Sequence, residues 1–246
     1  MDMTAFRREL SDNADEKYRV FQQALIPGVT DLIGVRRPVL RKIASRIAKE
    51  SGREFIRQAK RESFEEIAVK GLVIAGLMAD TAEILKYTAE YVPEITDWCL
   101  CDTFCSDLKA ARKDRERFWE FLAPYLTSDQ EFEARFAAVM LLNHFICDEW
   151  IDRVLEALFT VRQEGYYAQM AVAWAYSMCY VKYPEKTEAF LAVHRLPEFT
   201  YKKTVSKIRD SLPVPKEDKE RLKRYGFGGG RLDCGAETDG KQNIEQ

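Results

Sequence analysis

Two indoles, one carboxylate and one guanidinium stand where side chains could do chemistry. They are Trp98 and Asp102, four residues apart, then Arg135 and Trp174. Each lies in a stretch with helical periodicity, and residues four apart on a helix share one face. Asp97, directly before Trp98, is a residue type that caps a helix by accepting backbone N–H bonds. This set suits a surface that holds a sugar–phosphate backbone and steadies a cationic sugar. The carboxylate offsets developing positive charge, the indole faces add cation–π attraction, and the guanidinium forks onto a phosphate. Each residue also has a plainer reading. Asp102, within WCLCDTFC, can be a structural hydrogen-bond acceptor. The tryptophans can be core aromatics, and Arg135, at the edge of the apolar FAAVMLLNHF, can pair with an acid.

Other chemistries have less material. Cys101 and Cys105 are four apart, and His144 and Cys147 three apart, so two helices can be imagined to share a tetrahedral zinc. The ribbon spacing of zinc sites is missing, and a free Cys is commonly a small buried apolar residue. No metal and no cofactor are expected. Two histidines in the whole chain leave little for Cys–His or triad catalysis. The Gly-rich run from Gly226 to Gly230 follows no strand and opens no helix, so it is not a phosphate loop.

Helices must position these side chains, because strand signals are nearly absent. Apolar stripes predict helices from Arg37-Pro38 onward, then over 64–77, 82–91, 98–110, 115–126, 133–145 and 151–162. Further helices are expected over 166–180, 185–193, 201–211 and 217–225, with residues 1–17 as a loose first helix. Turn residues such as Pro93, Gly165, Pro184 and Pro197 separate them. Short amphipathic helices with brief connections cannot bury their stripes in single pairs. The expected fold is therefore all-α, an α-solenoid of HEAT-like antiparallel helix pairs forming a curved superhelix with a concave basic face. Residues 1–225 make one domain, and residues 226–246, rich in Gly and polar types, a disordered tail.

The 246 residues carry a formal net charge of −2, so total charge points to no nucleic-acid partner. Its distribution does. From Arg36 to Arg61 ten Lys/Arg (among them Arg36, Arg37 and Arg41) face two acids, Glu50 and Glu54, and a second basic group holds Lys202, Lys203, Lys207 and Arg209. The N-terminus lacks the apolar core of a signal peptide, and no apolar run is long enough to span a membrane. Six cysteines without framework spacing fit free thiols in a reducing cytoplasm.

With these residues in view, the chain resembles the DNA alkylation repair family, the HEAT-like-repeat DNA glycosylases of the AlkD type. The likeness spans about residues 18–224. It rests on Gly34-Val35-Arg36-Arg37-Pro38-Val39-Leu40-Arg41, on Asp97-Trp98-Cys99-Leu100-Cys101-Asp102-Thr103-Phe104, on Arg135 to Leu141, and on Tyr166-Tyr167 through Trp174. The resemblance implies a monomer that grips duplex DNA containing alkylated purines. It also implies excision of cationic N3- and N7-alkylpurines without flipping the base into a pocket. The Trp-x-x-x-Asp pair, the later Arg and the second Trp map onto Trp98, Asp102, Arg135 and Trp174. On this reading Asp102, Trp98 and Trp174 are catalytic. Arg135, Arg36, Arg37, Arg41, Tyr166, Tyr167, Lys202 and Lys203 hold DNA. Two other functions remain open at this point: a solenoid that binds damaged or branched DNA without excision, and a protein-binding scaffold.

Overall fold

A computed structural model of the protein describes residues 2–222. The expected tail at 226–246 lies outside the described residues. Fourteen α-helices and two 3₁₀ turns make up the described chain, with no strand among the described residues. The helices are α1 (Met3–Asp12), α2 (Glu16–Leu25), α3 (Arg37–Glu50), α4 (Gly52–Gln58), α5 (Phe64–Gly76), α6 (Thr81–Tyr91) and α7 (Trp98–Asp107). They continue with α8 (Arg115–Leu126), α9 (Glu131–His144), α10 (Ile151–Thr160), α11 (Tyr166–Lys182), α12 (Pro184–Val193), α13 (Glu198–Asp210) and α14 (Lys216–Leu222).

Their starts follow from local chemistry. Asp2, Asp15, Ser63, Asp80 and Asp97 each accept backbone N–H bonds of the first turn of α1, α2, α5, α6 and α7. Pro38 and Pro184 sit in the first turns of α3 and α12, where a missing N–H costs nothing. α10 buries Ile151, Val154, Leu155 and Leu158 on one stripe. By contrast, α5 is buried over every residue from Phe64 to Ile74, as befits a helix covered on all sides.

Packing sorts the helices into two rows. α3, α5, α7, α9, α11 and α13 lie side by side, each against the next. Behind them α6, α8, α10 and α12 form a second row, and α4 backs onto α5. This is a helical-repeat solenoid, the architecture that short amphipathic pairs demand. Close approach between the rows is visible at Gly71, where a Cβ would lie 2.6 Å from the Tyr91 hydroxyl. That hydroxyl donates to the Ile67 carbonyl at 3.2 Å.

The structure departs from the sequence expectations at element ends. The first seventeen residues hold a firm helix that buries Phe6 and Leu10, and a second, α2, follows at once. The basic run breaks at Ser51, and α4 starts afresh at Gly52, where a Cβ would meet Leu77 at 2.8 Å. α7 stops at Asp107 because the buried Leu108 leaves helical geometry, and Lys109–Arg112 form a 3₁₀ turn. Among the described residues no helix is long and apolar enough to cross a membrane.

Candidate functional site

The front row carries the nominated residues: Arg37 and Arg41 on α3, Trp98 and Asp102 on α7, Arg135 on α9, Tyr166, Tyr167 and Trp174 on α11, Lys202 and Lys203 on α13. At its centre Asp102 and Arg135 meet in a two-point bond, Nε to Oδ1 at 3.0 Å and Nη2 to Oδ2 at 2.8 Å. Arg135 Nη1 donates to the Tyr167 carbonyl at 2.8 Å. Three of the guanidinium's five N–H donors are thus engaged inside the protein, and its side chain is only 7% exposed against 21% for Asp102. Of the two sequence readings of Arg135, the acid partner is the one drawn here.

The Asp102–Arg135–Tyr167 contact is braced from the start of α9 itself. Tyr167 N–H donates to Glu131 Oε1 at 2.6 Å, so the start of α9 caps the start of α11. Gly165 leaves the space, since a Cβ there would lie 2.5 Å from the Glu131 carboxylate. Phe132 and Tyr167 stack at 5.4 Å, and Tyr166, exposed, meets Tyr167 and Phe199 edge-on.

Asp102 sits in a field of cations. Burial pushes its carboxyl above the ordinary aspartate value, while Arg135, then Arg37 and Lys207, pull the other way. Lys207 on α13 is itself held below the usual lysine value by burial, with Arg135 and Lys203 adding repulsion. Sequence reasoning placed Lys207 in a basic group but not beside the carboxylate. Its spacing to Lys203 on one helix face was the signal available.

Trp98 shares the face of α7 with Asp102, half-buried, and its indole N–H reaches the Leu25 carbonyl at 3.3 Å. Trp174 lies seven residues along α11 from Tyr167, half-buried against the core. Arg37 Nη2 approaches Cys99 Sγ at 3.0 Å, and burial raises the Cys99 thiol. Arg36 bonds Asp15 at 2.8 Å and covers the Tyr18 ring; Arg41 bonds Asp107 at 2.8 Å. Lys202 pairs with Glu198, and Lys203 lies 5.5 Å from the Phe199 ring centre.

The residues imagined around zinc do not converge: among the described residues no group of three or more His, Cys, Asp or Glu is placed to hold a metal ion. His144 is otherwise engaged, with Nε2 2.6 Å from the Cys105 carbonyl and Nδ1 accepting from Arg112 Nε at 3.2 Å. The five cysteines among the described residues are free thiols.

Two clefts lie near the start of α7. One, of about 440 Å³, is lined by Tyr18, Phe21, Leu25, Arg36, Arg37 and Trp98 itself. The other, of about 490 Å³, is lined by the 26–31 loop, Arg61, Thr96, Asp97, Phe132 and Tyr167. A cavity of about 710 Å³ on the back row, between α8, α10 and α12, shares no residue with this region.

Comparison with curated proteins and with solved structures gives no match. The family model described as DNA alkylation repair enzyme matches residues 6–208, from α1 through nearly all of α13. That span takes in every helix of the front row and every side chain around Asp102. The chain therefore belongs to the DNA alkylation repair enzyme family, and its work is DNA repair.

Proposed function

We propose that the protein is an alkylpurine DNA glycosylase, hydrolysing the N-glycosidic bond of cationic N3- and N7-alkylated purines in duplex DNA without base flipping. The observation that carries the reading is Asp102: a carboxylate locked by Arg135, still partly open, one turn from Trp98 on the front row.

An N3- or N7-alkylpurine already bears positive charge, so the leaving base needs no protonation and no general acid. As the bond to C1′ breaks, positive charge moves to the deoxyribose. Asp102 stabilises that charge and orients the attacking water. Trp98 and Trp174 pack against the sugar and add cation–π attraction as charge develops. Arg135, held on Asp102 and the Tyr167 carbonyl, keeps the carboxylate in one orientation and opposes the effect of its burial, and its remaining N–H donors serve a flanking phosphate. Arg36, Arg37, Arg41, Lys202 and Lys203, with Tyr166 and Tyr167, supply sequence-independent contacts to the duplex. The enzyme acts as a monomer on this reading, with no metal or cofactor.

The decisive experiment is single-turnover release of 7-methylguanine from an oligonucleotide duplex, wild type beside Asp102→Asn. The expected result is release by the wild type and a loss of at least about a hundredfold in the variant, the scale of one lost electrostatic stabiliser, with duplex affinity kept. Equal rates in both proteins would remove Asp102 from the chemistry. No release by either, with the duplex still bound, would make the protein a DNA-binding member without excision.

A further inference from the structure

Gly165 stands where α11 begins and has no side chain to cap the helix it precedes. The first N–H groups of a helix lack partners within it, and that of Tyr167 is one of them. Glu131 meets the need from another helix, its Oε1 accepting from Tyr167 N–H at 2.6 Å. The carboxylate occupies the space a cap side chain would take, since a Cβ on Gly165 would lie 2.5 Å from Glu131 Oε1. A negative group there also faces the positive end of the α11 dipole.

A second hold on Tyr167 comes one turn further along α9. Arg135, four residues on from Glu131, donates Nη1 to the Tyr167 carbonyl at 2.8 Å. Its Nε and Nη2 form the fork on Asp102 at 3.0 and 2.8 Å. Residues four apart share a helix face. One face of α9 thus takes both backbone groups of a single residue, the N–H through Glu131 and the C=O through Arg135. A guanidinium is planar, so this third bond, outside the fork, sets how the plane of the fork is turned.

The bonds run in one chain from Glu131 through Tyr167 and Arg135 to Asp102. Without its cap the first turn of α11 opens more readily, and the carbonyl that orients Arg135 moves with it. We propose that Glu131 is a positioning residue for excision, acting through Tyr167 and Arg135 on the orientation of Asp102. What Asp102 does rests here on the glycosylase reading; how it is held rests on the bonds alone. A cap that served stability only would lower the melting temperature and leave Asp102 as it is.

Three variants separate those roles. Glu131→Ala removes the acceptor. Glu131→Gln keeps a carbonyl oxygen of the same reach without the charge. Gly165→Ala leaves Glu131 in the chain but puts a methyl where its carboxylate sits, on a backbone (φ −58°, ψ 143°) that alanine adopts freely.

The first readout is the pH titration of the Asp102 carboxyl by carbon NMR, in the full chain without DNA. Burial raises this carboxyl, and Arg135 opposes it ahead of Arg37 on α3 and Lys207 on α13. Loosening Arg135 should therefore move the midpoint up in Glu131→Ala and in Gly165→Ala, while Glu131→Gln stays near wild type. The second readout is single-turnover excision of 7-methylguanine at neutral pH. It should fall about ten- to hundredfold in Glu131→Ala and in Gly165→Ala, the scale of a small misplacement of a reacting group, with duplex affinity kept. The double variant should lose no more than either single one, because both break the same bond.

An unshifted Asp102 in either Glu131→Ala or Gly165→Ala overturns the proposal, whatever their melting temperatures do. So does a Glu131→Gln protein that behaves like Glu131→Ala, or a shifted midpoint with excision at the wild-type rate. Excision by none of the proteins, with the midpoint shifted as expected, would sink the glycosylase reading and leave the hold on Asp102 standing.

Discussion

A carboxylate that must be ionised to work is usually kept so by its neighbours, and Asp102 shows the opposing forces in one residue. Burial raises its pKa, while the two-point bond to Arg135 and the charges of Arg37 and Lys207 lower it, and burial prevails. The sign of the consequence is fixed. On the proposed mechanism excision requires the carboxylate, so its rate is expected to be flat at higher pH and to fall as pH drops through the Asp102 pKa. That inflection should lie above the ordinary aspartate value, with a limiting slope of about tenfold per pH unit. Single-turnover rates measured from neutral pH downward check this, with duplex affinity followed in parallel so that a binding change is not mistaken for chemistry. An inflection at or below the ordinary value would mean that Arg135 dominates and that burial matters less than the geometry indicates.

At the scale of elements, His144 ties the end of α9 to the end of α7 through the Cys105 carbonyl, and to the following 3₁₀ turn through Arg112. Both bonds suit the neutral ring, and burial brings its pKa from 6.5 to about 4, with Arg112 and Arg115 acting in the same direction. An unfolded chain protonates this histidine below its ordinary pKa, while the folded chain resists until about pH 4. Its contribution is therefore complete above the ordinary histidine value and drains away as pH falls toward the folded one, by up to about 3 kcal/mol. Urea unfolding at about pH 7.5 and about pH 5 should show the loss, and His144→Gln should flatten it.

The elements themselves were largely legible from sequence, because apolar periodicity and caps such as Asp97 and Asp80 act locally. The shared face of Trp98 and Asp102 followed from spacing alone. Partner choice across the stack did not. Nothing local tells Arg135 to turn inward to Asp102, 33 residues away, or to reach the carbonyl of Tyr167, 32 residues on. The cleft at Asp97 draws on residues from Ile26 to Tyr167, which only the side-by-side packing of α7, α9 and α11 brings together. Likewise the lack of room for a side chain at Gly52, where α4 restarts, comes from Leu77, 25 residues on, and not from the run that holds the glycine.

Over the whole molecule, the basic run reads differently once its partners are known. Arg36, Arg41, Arg46, Arg53 and Arg61, half of its ten cations, face Asp15, Asp107, Glu9, Glu83 and Asp31. These are mostly surface pairs, with Arg36 58% and Asp15 34% exposed, and such pairs are worth about 0–1 kcal/mol. A phosphate can displace the acid at little cost, but the competition weakens duplex binding. Asp15→Asn or Asp107→Asn should therefore tighten binding to undamaged duplex about two- to fivefold at fixed salt, the equivalent of about 0.5–1 kcal/mol. Fluorescence anisotropy measures it, and unchanged affinity in both variants would take Arg36 and Arg41 off the DNA path.

The side-by-side rows also decide how the molecule comes apart. Each helix of the front row touches its immediate neighbours, so cohesion is a nearest-neighbour property and the outermost repeats are held from one side only. Local opening should grade along the stack, with backbone amides of α7, α9 and α11 exchanging with solvent last and those of α1 and α13 first. Hydrogen exchange read peptide by peptide would show that gradient, and uniform protection would refute it. A protein built this way can loosen at its extremities while accommodating a long, stiff polymer, and keep the carboxylate at its middle in register throughout.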